Sequence, residues 1–193
     1  MSGTSNSKAR WPIKKLSEIA TYSIGLTYKP TEITNDGIIV LRSGNIQDAV
    51  LDLRDVVRVN TKIKQDLFVR QGDILMCSRN GSANLVGKVA RIPEVNEPMT
   101  YGAFMTVIRS PYNEYLYLFF QSEDFRKQIS VGKSSTMNQI TQKMLDEIQI
   151  PFPDNNTRSH LSNILKQSDK SGFISSNRGL SRCLVAYQTL RQF

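Results

Sequence analysis

The fold of this chain is most constrained by its short apolar runs, each of which ends in a loop of Gly, Ser or Asn that carries a basic residue. Ile38–Leu41 and Ile74–Cys77 are such runs, and the turn Gln71-Gly72-Asp73 precedes the second. Runs of this length between turn residues are typical of buried strands, whereas helices need about ten residues or more. The sequence therefore predicts a sheet whose strands end in polar loops.

The other segments add further strands and then helices, which together predict an α+β fold of mixed short strands and helices. Residues 11–19 have the pattern of a short strand followed by one helical turn. Further strand-like patterns lie in residues 48–59, 85–92 and 104–108. Helix-like spacing lies in residues 112–129 and 139–147. Pro151 and Pro153 then impose an extended segment, because proline cannot continue a helix and disfavours helical backbone in the residue before it.

These prolines predict a boundary between two parts of the chain. Residues 1–9 are small and polar and are expected to form a flexible leader, residues 10–153 form the main domain, and residues 154–193 form a helical arm that Asp154 or Asn155 could cap. The leader lacks the apolar core of a signal peptide, and no apolar run reaches the ~20 residues that a membrane span needs. We therefore expect a cytoplasmic protein with no membrane partner.

The helical arm carries an apolar edge at approximately coiled-coil spacing. Its members are Leu161, Ile164, Leu165, Phe173, Leu180, Leu184 and Tyr187. One interpretation is a long, coiled-coil-like helix that pairs with another helix through this edge. The alternative is that the edge packs back onto the main domain, since an amphipathic helix needs some cover for its apolar face. Gly172 and Gly179 are poor helix formers, so a kink or two shorter helices is also open.

The net charge of +8 is concentrated in the two ends of the chain. Residues 1–15 hold four basic and no acidic residues, residues 154–193 hold six basic and two acidic residues, and the segment between them holds fifteen of each. A basic protein is attracted to phosphate backbones. The alternative is a basic surface that only maintains solubility.

The motifs of catalysis and of cofactor binding are absent from the sequence. Residues 81–87 place five residues between two glycines where a phosphate-binding loop has four, and Val89 stands where that loop needs Ser or Thr. His160 is the single histidine, and Cys77 and Cys183 stand far apart as two reduced thiols. We therefore expect a non-enzymatic chain without metal or cofactor. A nuclease with scattered acidic ligands is the catalytic alternative.

Four loops carry the residue types that bind DNA. Arg, Lys, Asn and Gln match the donors and acceptors of base edges, while Ser, Thr and backbone amides bind phosphates. The candidate DNA-binding residues are Tyr28, Lys29, Arg42, Asn45, Ser78, Arg79, Asn80, Ser82, Lys133, Ser134, Ser135, Thr136, Asn138 and Gln139. Ordinary turn chemistry is the alternative for each loop, because Gly, Asn and Ser are also the residues that turns require.

Three of these segments occur in a fixed order that resembles a known family. Residues 38–46, 71–82 and 132–140, followed by Leu145-Asp146-Glu147-Ile148-Gln149-Ile150-Pro151-Phe152-Pro153, resemble the target-recognition half of a type I restriction-modification specificity subunit. The resemblance implies that residues 10–153 are a DNA target-recognition domain and that residues 154–193 form a helical spacer or dimerisation arm. It also implies a non-catalytic chain that reads double-stranded DNA for a separate methyltransferase and nuclease.

The partners that the resemblance implies are double-stranded DNA, the methyltransferase (modification) subunit and, through it, the restriction subunit. A full subunit of that family carries two such domains, so two copies of this chain, or this chain and a second half-subunit, are expected to pair through the arm. The alternative function is a protein-interaction module that docks on the methyltransferase subunit without binding DNA, as an assembly competitor or inhibitor.

Overall fold

The computed structural model describes residues 11–130, 138–170 and 184–189, with only the backbone for residues 168–170. Its strands are β1 (Ile13–Lys15), β2 (Thr21–Ile24), β3 (Ile33–Thr34), β4 (Ile38–Leu41), β5 (Ile46–Gln47), β6 (Val50–Leu51), β7 (Val57–Val59), β8 (Ile74–Cys77), β9 (Val89–Arg91), β10 (Met99–Tyr101), β11 (Met105–Arg109) and β12 (Gln149–Pro151). Its helices are α1 (Leu16–Ile19), α2 (Asn113–Phe119), α3 (Glu123–Ser130), α4 (Gln142–Glu147) and α5 (Asn155–Lys170), and residues 184–189 are also helical. The mixture of short strands and helices confirms the predicted α+β class.

The first sheet has the antiparallel order β2-β11-β8-β9 and lies between two hydrophobic cores. In β8, Ile74 and Met76 belong to one core, whereas Leu75 and Cys77 belong to the other. Successive strand residues point to opposite faces, so a strand covered on both sides has no polar positions. This is why Ile74–Cys77 is continuously apolar.

The second sheet has the order β10-β4-β7-β3, in which β10 runs parallel to β4 and the other pairs are antiparallel. It packs against the first sheet, and the core between them includes Ile39, Leu41, Tyr101 and Val107. Ile39 and Leu41 are at most 1% exposed, as expected from their apolar run. The two sheets fix the positions from which the polar loops leave.

The helices cover the other face of the first sheet and form the second core with it. Phe119, Phe120 and Phe125 are buried there and meet at ring-centroid distances of 5.0–6.0 Å in edge-to-face geometry. The helix-like spacing of residues 112–129 corresponds to α2 and α3, with a break at Ser122, whose hydroxyl donates to the Phe119 carbonyl oxygen. The strands β1 and β12 pair antiparallel beside this core.

The start of the helical arm agrees with its predicted cap. The Asp154 carboxylate accepts hydrogen bonds from the Thr157 backbone N–H at 3.0 Å and from the Thr157 hydroxyl at 2.7 Å. A side-chain oxygen at this position satisfies an amide that the first turn of a helix leaves unpaired. The described part of the arm is α5, 16 residues long, and the short helical segment 184–189, so the expected long coiled-coil arm is not shown.

The apolar edge of the arm packs onto the chain's own helical core, which is the alternative to its interpretation as a helix-pairing surface. Leu161 and Leu165 are 0% exposed and Tyr187 is 1% exposed, and Ile164 packs against the same core. Leu184 is half-buried and lines a cleft beside Phe120. Since α5 lies against α2, its apolar face is covered without a second copy. Phe173 and Leu180 lie outside the described residues.

A partly buried ion pair marks the end of the first sheet where β11 finishes. Arg109 donates to Asp73 at 2.9 Å, and the two side chains are 22% and 5% exposed. Arg109 also donates to the carbonyl oxygens of Asp66 and Phe68, which fixes the segment before β8. An open cleft of about 890 Å³ lies at this end, and Arg70 is among its lining residues. In the described part of the chain, no helix combines the length and apolar character needed to cross a membrane.

Candidate nucleic-acid interface

At the opposite end of the first sheet, the turn between β10 and β11 holds the first two predicted loops. The Leu26 N–H donates to the Tyr101 carbonyl oxygen at 2.7 Å, and the Gly102 N–H donates to the Leu41 carbonyl oxygen at 2.9 Å. A Cβ atom at Gly25 would lie 2.2 Å from the Tyr101 oxygen, so this close approach requires glycine. The loops that follow Gly25 and Leu41 are therefore anchored side by side.

The same turn holds the third loop, and the third loop holds the fourth. The backbone N–H groups of Ser78 and Arg79 both donate to the Phe104 carbonyl oxygen, at 2.9 and 3.0 Å. The Ile140 N–H donates to the Ser78 carbonyl oxygen at 2.7 Å, and Gln139 forms a β-bridge with Arg79. Four loops that are far apart in sequence thus surround one turn.

Side-chain amides connect these loops directly. Asn80 donates to the Ser43 hydroxyl at 2.9 Å and accepts from the Ser82 backbone N–H at 2.9 Å. Asn138 donates to the Gly81 carbonyl oxygen at 3.0 Å. These bonds position the loops relative to one another. We call the surface formed by residues 25–29, 42–45, 78–82, 102–104 and 138–139 the loop end.

The predicted residues that reach solvent at the loop end include three cations and a hydroxyl. Lys29, Arg79 and Ser82 are exposed, while Tyr28 is half-buried. The Arg42 side chain is 42% exposed and lies 3.7 Å from Asp55. Asn80, Asn138 and Gln139 are half-buried. Lys133, Ser134, Ser135 and Thr136 lie outside the described residues, so their predicted role stays a prediction.

Two of the predicted DNA-binding residues are part of the framework instead. Asn45 is 1% exposed, its oxygen accepts from the Arg42 N–H, and its nitrogen donates to the carbonyl oxygens of Asp52 and Asp55, each bond being 2.8 Å long. Ser78 is 7% exposed and donates its hydroxyl to Thr106. Buried side chains with satisfied hydrogen bonds are not available to DNA, which corrects both predictions.

Sequence reasoning missed Phe104 as a surface residue of the loop end. It stands at the start of a predicted strand, yet its side chain is 56% exposed. The Arg79 guanidinium carbon lies 5.3 Å from the centre of its ring. Gly102, two residues before Phe104, favours a turn. It was the local signal that the strand begins at Met105 and not at Phe104.

Hydrogen bonds hold two carboxylates beside the loop end, one next to Lys29 and the other paired with Arg54. Hydrogen bonds from the Lys29 backbone N–H and from the Thr61 hydroxyl lower the pKa of Glu32. Hydrogen bonds from the side chain and backbone of Arg54 lower the pKa of Asp52 to about 2. Both acids therefore stay ionised at neutral pH. Within the described ranges, His, Cys, Asp and Glu form no group of three that could hold a metal ion.

A rigid scaffold that presents polar loops at one end is typical of domains that recognise a ligand through their loops. The family model described as the type I restriction modification DNA specificity domain matches residues 8–180. The chain therefore belongs to this family of specificity domains, as its resemblance predicts.

Similar proteins have been described in several bacteria. The chain is 30% identical over 156 residues to the type I restriction enzyme StySPI specificity subunit of Salmonella potsdam, an alignment covering 74% of this chain and 33% of that protein. It resembles the S subunit from M. genitalium with a TM-score of 0.58 at 15% identity, covering 86% of this chain and 41% of that one. It resembles the HsdS subunit from Thermoanaerobacter tengcongensis with a TM-score of 0.59 at 16% identity, covering 97% and 46%.

A third structural neighbour belongs to a study of complex assembly and conformational transition of the type I R-M system. It has a TM-score of 0.65 at 17% identity and covers 97% of this chain and 46% of its own. The structural likenesses support the fold. The chain spans about a third of the curated relative and less than half of each solved neighbour.

Proposed function

We propose that this chain reads the sequence of duplex DNA through its loop end, as the specificity component of a type I restriction-modification system. The observation that carries the proposal is the convergence of separate loops on the 102–104 turn, with Lys29, Arg42 and Arg79 displayed among them. Guanidinium and ammonium groups supply both phosphate attraction and base-edge hydrogen bonds. Membership of the specificity-domain family supports the same conclusion.

The described side chains divide into a reading set and a positioning set. The reading set is Tyr28, Lys29, Arg42, Arg79, Ser82 and Gln139, which are exposed or half-buried at the loop end. Asn80 and Asn138 position the loops, because their amides bond to Ser43 and Gly81. We propose that residues 133–136 belong to the reading set by the sequence argument alone.

The proposed partners are a methyltransferase subunit and, through it, a restriction subunit, since the chain has the specificity-domain fold. The chain contributes binding and orientation of the DNA, and the partners contribute the chemistry. Pairing of two copies, or of this chain with a second half-subunit, stays part of the proposal. Leu161 and Leu165 are buried within the chain, which supports a proposal that this pairing uses another surface.

The test is a selection from random DNA duplexes with the full chain, alone and in complex with the methyltransferase subunit. An enriched sequence is the expected result. An interrupted palindrome would indicate two copies on one DNA, and one short site would indicate a single reading domain. No enrichment by the intact complex would overturn the proposal in favour of the interaction module that binds no DNA.

A matched pair of arginine variants tests the location of the surface. Arg79→Ala is expected to weaken binding to the selected duplex about tenfold or more, since a bidentate base contact is worth ~1–3 kcal/mol. Arg70→Ala removes the same charge from an exposed position in the cleft at the opposite end and is expected to change affinity little. Equal losses in the two variants would place the DNA elsewhere.

A further inference from the structure

Phe104 is an exposed aromatic residue at the centre of the loop end. The exposed large apolar side chains of the described residues are Ile13, Ile24, Ile33, Leu53, Phe104 and Val185. A single exposed apolar residue is ordinary on a protein surface. Phe104 differs from the other five because it is aromatic and because its own carbonyl oxygen organises the surrounding loops.

The backbone at Phe104 is held rigidly. Its carbonyl oxygen accepts from Ser78 and Arg79, and the following residue, Met105, donates its N–H to the Gly102 carbonyl oxygen at 2.8 Å. The ring therefore projects from a fixed backbone position, and the Arg79 guanidinium lies over one of its faces. A preorganised apolar group loses little entropy when it meets a ligand.

The contact with Arg79 determines which part of the ring is available. The guanidinium carbon lies over the ring at 5.3 Å from its centroid, within the range of a cation–π contact. Side chains that wedge between base pairs stack on both sides, whereas one face of this ring is already covered by Arg79. The geometry therefore favours a contact at the remaining face or edge with an apolar group at the floor of a groove.

We propose that Phe104 contacts the C5-methyl group of a thymine in the major groove, next to the base pair that Arg79 approaches. This inference rests on the proposed function and names one specificity-determining contact within it. The thymine methyl is the apolar group that base pairs display in the major groove, and phenylalanine is among the side chains that pack on it. Arg79, which lies over the ring, is the side chain we assign to the neighbouring base.

The experiment replaces each thymine of the selected duplex, one at a time, by deoxyuridine, which lacks the methyl group. With the same complex that gave the selection, one position is expected to weaken binding about fourfold, the effect of burying one methyl group. The Phe104→Ala chain is expected to bind both duplexes equally at that position. Phe104→Leu keeps an apolar side chain and is expected to retain part of the methyl effect.

Ile13→Ala is the matched control, because Ile13 is 55% exposed on β1, away from the loop end. It is expected to keep the full deoxyuridine effect. A selected site without thymine, a flat deoxyuridine scan, or an effect undiminished in Phe104→Ala would overturn the methyl contact while leaving DNA reading intact. A wild-type complex that enriches no sequence would instead overturn the proposed function itself.

Discussion

At the scale of single residues, the buried side-chain amide of Asn45 holds the loop after β4 in place. It joins three backbone groups from two segments of the chain. Asn45→Ala removes all three part-buried bonds, so we expect the free energy of unfolding to fall by on the order of 3 kcal/mol, about 1 kcal/mol for each bond. Urea denaturation measures this loss.

The control for Asn45 is its neighbour Gln47, which is exposed and donates to the Gly44 carbonyl oxygen at 3.0 Å. Gln47→Ala is expected to change the unfolding free energy by less than about 0.5 kcal/mol. If Asn45→Ala kept full stability but lost DNA binding, Asn45 would be a reading residue after all.

Cys77 is a second residue whose behaviour follows from burial. It is 0% exposed, and burial raises the pKa of its thiol to about 11. The thiolate is the reactive form, so Cys77 in a Cys183→Ser background is expected to resist alkylation at pH 8 until urea unfolds the chain. Because the folded pKa lies above the unfolded value of about 8.5, this group's stabilising contribution is complete below that pH and is lost as the pH rises toward 11.

The measurement is the alkylation rate across a urea titration. It should follow the unfolded fraction. Rapid labelling in native buffer, at the rate of the denatured chain, would show that β8 opens without global unfolding.

At the scale of elements, the apolar edge of α5 packs within the chain. Leu161 and Leu165 fill the helical core beside α2. Leu161→Ala or Leu165→Ala is therefore expected to lower the unfolding free energy by about 3 kcal/mol, the usual cost of removing a buried leucine side chain. Asn163→Ala, on the exposed side of the same helix, is expected to be nearly neutral.

The concentration dependence separates the two interpretations of this edge. Packing within the chain predicts a midpoint of unfolding that does not change with protein concentration in either leucine variant or in the wild type. A midpoint that rises with concentration in the wild type, and loses that rise in Leu161→Ala, would restore the helix-pairing interpretation.

At the scale of the whole molecule, the first sheet is the element that both cores share. Leu75 and Val107 face the core between the sheets, whereas Met76 and Ile108 face the helical core. We expect the amides of these central strands to exchange with solvent only through global unfolding, while the amides of β3, at the edge of the second sheet, exchange through local opening. Native-state hydrogen exchange in low urea measures both, and equal protection of β3 and β8 would contradict this order.

Several elements could be located from the sequence because their signals are local. The bounds of β4 and β8 coincide with the two four-residue apolar runs, and Asp154, one of the two residues expected to cap the arm, caps α5. Other strands were missed: Thr21–Ile24 and Met99–Tyr101 lack strong alternation, and their strand structure comes from pairing with β11 and β4. A strand that forms because it pairs with a partner distant in sequence has no signal in a short window of residues.

The sequence by itself determined the α+β class, the buried strands and the loops that follow them, because periodicity and turn chemistry act between near neighbours. Only the tertiary structure decided which polar loop residues face solvent. Asn45 and Arg79 are both good base-reading residue types, yet the first is buried and bonded to the carbonyl oxygens of Asp52 and Asp55, and the second is exposed beside Phe104. Burial depends on how separate segments pack together. For the same reason, only the tertiary structure shows that the apolar edge of α5 packs on the helical core of the chain.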